Sequence, residues 1–251
     1  MEYIFSKPIP ATESCYATLT QVRVWNVSGL WHNLYMLASD KQLQSLVDTF
    51  KSGDCLTYKK GEYIIRPGEQ PSAVYYIESG LVKAYDITKY GEENLLIIRR
   101  EAEVFPLIWA NTGKERSVIY QVLAPTTVWR IKRSAYLDFL HNHPDALAPI
   151  LDMTIEMYRI HSERIMSLEY RTVRERLVSF LLSLSPRFGV EHPDGTLLDV
   201  PMRQQDIASS INASRETTGR ELSYLESKGL LRVEKSLIIL LDKPKLKSFI
   251  T

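Results

Sequence analysis

Between Leu56 and Lys132, apolar residues recur in short β-branched and aromatic runs, which turn residues separate. Runs at a spacing of roughly ten residues are typical of a closed or sandwiched antiparallel β unit. The expected strands are Tyr63–Ile65, Val74–Ile77, Leu81–Tyr85, Leu95–Ile98, Val118–Val122 and Thr127–Ile131. Turn signals such as Ser79-Gly80 and Ala124-Pro125 are expected to separate neighbouring strands.

After Pro144 the apolar positions follow a helical period of three and four. The simpler interpretation is a helix that covers the β unit with one face. Two adjacent apolar seams, however, allow the helix to pack on its own sheet and on a second helix, which favours a homodimer. The residues expected at the dimer interface are Leu151, Ile155, Tyr158 and Ile165.

The C-terminal third predicts a helix-turn-helix followed by a β wing. A helix is expected from Thr172 to Ser185, ending before Pro186, with a loop through His192-Pro193-Asp194-Gly195 after it. Two helices follow at Gln204–Ser210 and Ser214–Lys228, and Leu231–Val233 and Leu237–Leu241 form a hairpin. Asn212 lies in the tight turn between those helices, where a positive φ is needed.

The first 37 residues show poor helical periodicity, whereas Ser39 and Gln42 form a capping-box pattern before an amphipathic helix. We interpret the N-terminal segment as a loosely attached extension, with an interaction arm as the alternative. The predicted organisation is α+β. It comprises an extension over 1–37, a β-roll sensor domain over 38–143, a dimerisation helix over 144–170 and a winged helix-turn-helix over 171–251.

The amino-acid composition mainly excludes classes of protein. With 45% hydrophobic and 24% charged residues among 251, the chain lies in the ordinary globular range. The longest aliphatic run, Leu237–Leu241, is far too short to cross a bilayer, and the N-terminus lacks the pattern of a secretory signal. Cys15 and Cys55 are too few for a thiolate cluster or a structural zinc site. A cytoplasmic protein without membrane association is expected.

Candidate chemistry is concentrated in the second helix of the helix-turn-helix. Ser214 can cap this helix, which leaves Arg215 and Glu216 exposed in its first turn, where a recognition helix meets base edges. Arginine suits the O6/N7 pair of guanine, and glutamate accepts from N4 of cytosine. Arg220 follows Glu216 by four residues on the same face. A plain Glu216–Arg220 surface ion pair is the competing interpretation.

No motif indicates an enzyme. The sequence contains no Gly-x-Ser-x-Gly, no Walker loop and no His-Glu-x-x-His, and its five histidines suggest no metal constellation. The net charge of +1 divides into −2 over residues 1–170 and +3 over 171–251, which adds only slight support for nucleic-acid binding.

Two segments in this order resemble the CRP/FNR family of bacterial transcription regulators, over about residues 40–245. Lys60–Glu69 followed by Val74–Gly80 is similar to the β-roll of the family, and Ser214–Arg220 is similar to its recognition-helix motif. The resemblance implies a homodimer with a cyclic-nucleotide-type β-roll, a long dimerisation helix and a winged helix-turn-helix. It also implies double-stranded DNA, at a palindromic promoter site, and RNA polymerase as partners.

The resemblance further implies which residues contact DNA. Arg215, Glu216 and Arg220 match the base-reading positions of the cAMP-responsive branch, which suggests a half-site similar to the TGTGA core of that branch. The residues implied at phosphate-contacting positions are Gln205, Ser214 and Thr217.

The sensory half departs from that branch. Where a carboxylate would hold the ribose, the chain has Phe105-Pro106-Leu107-Ile108-Trp109, although Arg116-Ser117 is retained and His161-Ser162 replaces a base-contacting Thr-Ser pair. Without the acid, the usual cAMP site is not expected. No cofactor is assigned, and we expect a small, partly apolar anion as effector. The residues expected to bind it are Leu107, Ile108, Trp109, Arg116, Ser117, His161 and Ser162.

Four alternatives stay open at this point. In one, the apolar side chains around Trp109 simply fill the core of the roll and leave no cavity. In another, the regulator has lost effector control and binds DNA constitutively. His161, alone on a helix, is a packed or capping histidine. Finally, the chain is a cyclic-nucleotide-binding module that acts through protein contacts rather than DNA.

Overall fold

The computed structural model describes residues 37–114 and 117–250, so most of the expected N-terminal extension lies outside the described residues. Ten strands are present in these ranges: β1 Asp54–Tyr58, β2 Tyr63–Ile65, β3 Val74–Ile87, β4 Glu93–Arg99, β5 Val104–Phe105, β6 Ile119–Ile131, β7 Gly189–His192, β8 Gly195–Leu198, β9 Leu231–Glu234 and β10 Leu237–Leu240.

Eight α-helices accompany them in the same part of the chain: α1 Asp40–Lys51, α2 Leu107–Thr112, α3 Arg133–Asn142, α4 Leu147–Tyr170, α5 Val173–Phe188, α6 Gln204–Ser210, α7 Arg215–Ser227 and α8 Lys243–Lys247. A short 3₁₀ turn, Pro144–Ala146, precedes α4. The α+β class is confirmed, and none of the helices in the described ranges has the length and apolar character needed to cross a membrane.

Two pairs of expected strands are in fact single long strands, β3 and β6, so the expectation of loops at Ser79-Gly80 and Ala124-Pro125 was wrong. The two turn signals lie opposite one another. Gly80 has φ of 100°, and a Cβ there would lie 2.5 Å from the carbonyl oxygen of Pro125. Thr126 Oγ1 accepts a hydrogen bond from the Leu81 N–H at 3.1 Å. Both turn signals therefore lie inside strands that are neighbours in one sheet, where the positive φ and close approach favour glycine.

The larger sheet has the strand order β1-β6-β3-β4, with β2 also paired to β6 and β5 to β3. The β1–β6 ladder is antiparallel and sets Leu56 opposite Val128. This antiparallel arrangement is the one that the short β-branched and aromatic runs predicted.

The chain forms two compact units. The first contains the described residues up to Val82 together with those in Arg99–Glu156, and its core lies between α1, the sheet and the helices that follow it. Representative core residues, all buried, are Leu46, Phe50, Val74, Leu107, Tyr136 and Ile150. Helix α2, which was not predicted from the sequence, ends at Thr112 and is followed by Gly113 with φ of 69°. The Thr112-Gly113 pair is therefore the one local feature that indicated a helix C-terminus.

The second unit contains Lys83–Ile98 and the described residues from Met157 onward. Helix α5 runs through Pro186 to Phe188, so the expected end before the proline was wrong. A proline inside a helix costs about 3 kcal/mol because it removes one hydrogen bond and crowds the preceding turn. Burial of Leu184 and Phe188 beside it favours continuing the helix and offsets that cost.

The segment after α5 is a hairpin, β7–β8, rather than the expected loop, and its strands pair from Gly189↔Leu198 to His192↔Gly195. The smaller sheet has the order β7-β8-β10-β9. The hairpin β9–β10 confirms the predicted wing, and its turn contains Lys235 with φ of 57°.

Candidate functional site

Helices α6 and α7 form the predicted helix-turn-helix. Asn212 has φ of 49° in the intervening turn, as the sequence analysis required. Ala208 is fully buried, and the Ala213 N–H donates to its carbonyl oxygen at 3.1 Å. The small side chain at Ala208 therefore lets the turn close tightly over α6.

The first turn of α7 is fixed by its cap. Ser214 Oγ accepts from the Thr217 N–H at 3.0 Å, and its hydroxyl donates to Thr217 Oγ1 at 2.9 Å. The Thr218 hydroxyl, which is buried, donates to the Ser214 carbonyl oxygen at 2.9 Å. These bonds hold the start of the helix rigid.

The three expected base-reading side chains, Arg215, Glu216 and Arg220, are exposed on α7. Within the described residues, Arg215 and Glu216 form no hydrogen bond or ion pair. Arg220 donates to Thr217 Oγ1 at 3.3 Å and is not paired with Glu216. The competing interpretation, a Glu216–Arg220 ion pair, is therefore not what the structure contains.

Gln205, which is expected to contact phosphate, is half-buried on α6.

A cation on α5 supports the back of α7. Arg174 Nε donates to Glu221 Oε2 at 2.6 Å, and its guanidinium lies 3.6 Å from the centre of the Tyr224 ring. The hydrogen bond to Glu221 raises the pKa of Arg174, so this side chain stays charged. Its partners lie far away in sequence, and nothing in the local pattern pointed to them.

A buried ionic network, which was not predicted from the sequence, holds α6. Lys83 Nζ, almost fully buried, lies 2.6 Å from Glu93 Oε2 and 3.1 Å from Asp206 Oδ1. Arg203 donates to Asp206 Oδ1 at 2.9 Å and to Glu93 Oε2 at 3.1 Å. The available signal was a lysine inside the apolar run of β3.

The charge state of Asp206 follows from these partners. Burial alone would raise its pKa, but the hydrogen bonds from Arg203 and the charge of Lys83 outweigh burial, so the pKa of Asp206 lies below its ordinary value. The carboxylate is therefore ionised at neutral pH and keeps Lys83 compensated.

Comparison with known proteins agrees with this architecture. Residues 55–143 match the model of the cyclic nucleotide-binding domain, and residues 175–249 match that of the Crp-like helix-turn-helix domain. The global nitrogen regulator of a Synechocystis species is 31% identical over 72% of this chain and 82% of its own. The chain belongs to the CRP/FNR family. It is a DNA-binding transcription regulator of that family and not an enzyme.

Other members of the CRP/FNR family lie at a similar distance. The cAMP-activated global transcriptional regulator CRP of Salmonella typhimurium is 26% identical over 72% of this chain and 87% of its own. The structure of FixK2 from Bradyrhizobium japonicum has a TM-score of 0.68 at 23% identity, covering 78% of this chain and 96% of that one. The latter likeness concerns the fold.

Part of the effector set lies on or near α2 in the first unit. Leu107 belongs to the buried core, and Trp109 packs against that core, with the Arg133 guanidinium 5.9 Å from its ring. Ile108 points outward and is 38% exposed. In this unit, therefore, Leu107 and Trp109 contribute packing, as the alternative interpretation expects of them.

The other members of the set are more scattered. Arg116 lies outside the described residues, and Ser117 is exposed. His161 and Ser162 are half-buried on α4 in the second unit. The effector site accordingly stays a prediction.

Proposed function

We propose that the protein is a homodimer that reads a palindromic DNA site through α7 and is gated by a small anionic effector. The observation that carries this proposal is the first turn of α7, where Arg215 and Glu216 are exposed and make no polar contact with the described protein. Side chains held by a rigid cap and left without protein partners are available to base edges.

The side-chain chemistry at each position suits either a base edge or a phosphate. Arg215 and Arg220 would donate to guanine, and Glu216 would accept from the N4 amino group of cytosine. The hydroxyls of Ser214 and Thr217, at the N-terminus of α7, suit phosphate oxygens, as does the amide of Gln205 on α6. Because these residues match the base-reading positions of the cAMP-responsive branch, we take inverted TGTGA half-sites as the proposed target.

Helix α4 supports the dimer. Leu151, Ile155, Tyr158 and Ile165 are between 48% and 74% exposed in the single chain. Large apolar side chains repeated along one helix form a contiguous exposed patch, which is typical of an interaction surface. We assign this face to the same helix of a second copy. RNA polymerase as a further partner and a cytoplasmic location are proposed from family membership.

Binding to DNA tests the proposal directly. Full-length protein is titrated against a labelled duplex carrying inverted TGTGA half-sites, at a series of salt concentrations. The affinity is expected to fall steeply with salt, because phosphate contacts release counterions. Equal affinity for the palindrome and for a scrambled duplex would favour the alternative, a module acting through protein contacts.

Replacing Arg215 by alanine is expected to weaken specific binding by about 1–3 kcal/mol and to relax preference at one base pair. A binding-site selection assay on both proteins measures this. The matched control is Arg130→Ala, which removes an exposed arginine paired with Asp54 at 3.1 Å on the first unit. An unchanged selection profile for Arg215→Ala would contradict the assignment.

cAMP is expected not to bind at micromolar concentration. The ribose 2′-hydroxyl would meet apolar side chains near Leu107 and Trp109 instead of a carboxylate, and a buried hydroxyl without a partner is unfavourable. Calorimetric titration measures this on the full chain, with 3′,5′-cyclic GMP as a second nucleotide. Saturable micromolar binding of cAMP would overturn this part of the proposal.

A further inference from the structure

A cavity lies within the second unit. It is lined by β4, by the C-terminal half of α4 and by α5, together with residues at the end of α6. Its apolar wall includes Leu96, Phe180 and Leu184. None of the residues expected to bind the effector in the β-roll lines this cavity.

Arg164 is a half-buried cation in the lining of the cavity. Its terminal nitrogens donate to the Leu95 carbonyl oxygen at 2.6 Å and to Asn94 Oδ1 at 2.8 Å, which fixes the guanidinium in place. Among the described residues no carboxylate lies within 4.0 Å of it, and its Nε has no hydrogen-bond partner. Burial lowers the pKa of Arg164, and no neighbouring carboxylate opposes this effect.

Two further residues of the same cavity lining have a polar atom without a hydrogen-bond partner in the described chain. Arg176 donates from Nη2 to the Asn212 carbonyl oxygen at 3.3 Å, but its Nε is buried without a partner in the described chain. Ser167 is 6% exposed, and its Oγ has no partner there either. The lining also includes Glu163, whose carboxylate pairs with Arg159 at 2.7 Å. Within the described residues the lining thus contains two arginines without an ion pair and one hydroxyl without a hydrogen bond. Such groups are destabilising unless something pairs with them.

We propose that this cavity binds a monocarboxylate with an apolar body. Arg164 Nε, Arg176 Nε and Ser167 Oγ would donate to the carboxylate, and the hydrocarbon would lie against Phe180 and its neighbours. Three unused donors match the roughly four acceptor positions of a carboxylate. Charge-assisted hydrogen bonds from arginine are the strong kind, and the apolar wall stabilises a hydrocarbon body.

Hexanoate is the probe for this site. Calorimetric titration of the full-length protein is expected to give saturable binding, and uncharged hexanamide should bind at least tenfold more weakly. Arg176→Gln removes a charge whose only bond in the described structure is long, and it should weaken hexanoate at least tenfold. Ser167→Val removes the hydroxyl and should weaken it about threefold, since it removes one neutral donor while leaving both arginines.

Two variants locate the binding. Arg130→Gln removes the same charge from the first unit, where Arg130 does not line the cavity, so hexanoate affinity should stay within twofold of the unmodified protein. Arg116→Ala removes the anion-binding residue expected in the β-roll and should also leave the hexanoate affinity unchanged. Circular dichroism checks the fold of each variant. If Arg176→Gln does not fold, the hexanoate affinity of Ser167→Val tests the proposal in its place.

Two results would overturn the proposal. One is a lack of saturable hexanoate binding by the unmodified protein. The other is binding that Arg116→Ala abolishes while Arg176→Gln and Ser167→Val leave it intact, which would move the anion to the β-roll.

Discussion

Replacing Ile155 by glutamate is expected to turn a dimer into a monomer at micromolar concentration. Ile155 is 51% exposed at the middle of α4, between Leu151 and Tyr158 on the same face. In the proposed dimer both copies would bury a carboxylate without a partner. A buried unpaired charge costs about 3–5 kcal/mol, and each 1.4 kcal/mol changes the dissociation constant about tenfold.

Sedimentation velocity over a range of concentrations measures the effect. Ile155→Leu keeps the face apolar and should remain dimeric. Tyr90→Glu introduces the same charge at another exposed position, 78% exposed in the turn between β3 and β4, and should also remain dimeric. Since a palindromic site needs two recognition helices, the Ile155→Glu protein should lose its preference for the full palindrome over a single half-site. A stable Ile155→Glu dimer would show that α4 does not form the interface.

The helix-turn-helix could be predicted from sequence because its determinants are local. The Ser214 cap, the positive φ at Asn212 and the small Ala208 all lie within one short stretch of chain, and each residue type has a direct conformational meaning. The wing was predictable for the same reason. Its two runs are separated by a short polar turn, and the hairpin register follows from the length of that turn.

Features that depend on distant partners were missed or mistaken. The local sequence predicts a turn at Gly80 and another at Pro125, but in the folded chain the two residues lie close together inside two long neighbouring strands. Pro186 predicts a helix end, but the helix continues because Leu184 and Phe188 are buried. In each case tertiary contacts outweigh a local preference worth a few kcal/mol.

In the candidate site, too, the features set by local sequence were predicted and those set by distant partners were not. The base-reading residues of α7 follow from the cap and the helical spacing, whereas the groups that hold the two helices come from far away. Lys83 reaches Asp206 across 123 positions of sequence, and Arg174 reaches Glu221 across 47. A single sequence carries no signal for such pairs beyond the oddity of a charged residue in an apolar run.

Replacing Asp206 by asparagine is expected to destabilise the protein by about 3 kcal/mol at neutral pH, because buried Lys83 then keeps only Glu93 as a counterion. This is the low end of the range for a broken buried pair, since Glu93 remains 2.6 Å away. Chemical denaturation of both proteins between pH 8 and 3 measures the difference. The matched control is Asp54→Asn, which breaks an exposed pair with Arg130 and should change the free energy of unfolding by about 0–1 kcal/mol.

The pH dependence identifies the carboxylate itself. The pKa of Asp206 in the folded protein lies below its ordinary value of 3.8, so its contribution to stability is complete above that value. The contribution is lost as the pH falls through the lower folded pKa. The difference between the unmodified protein and Asp206→Asn should therefore be constant from pH 8 to about 5 and shrink below about 4. A difference that persists undiminished at the acid end would mean that asparagine disturbs the packing of α6 and that the charge of Asp206 does not account for the loss.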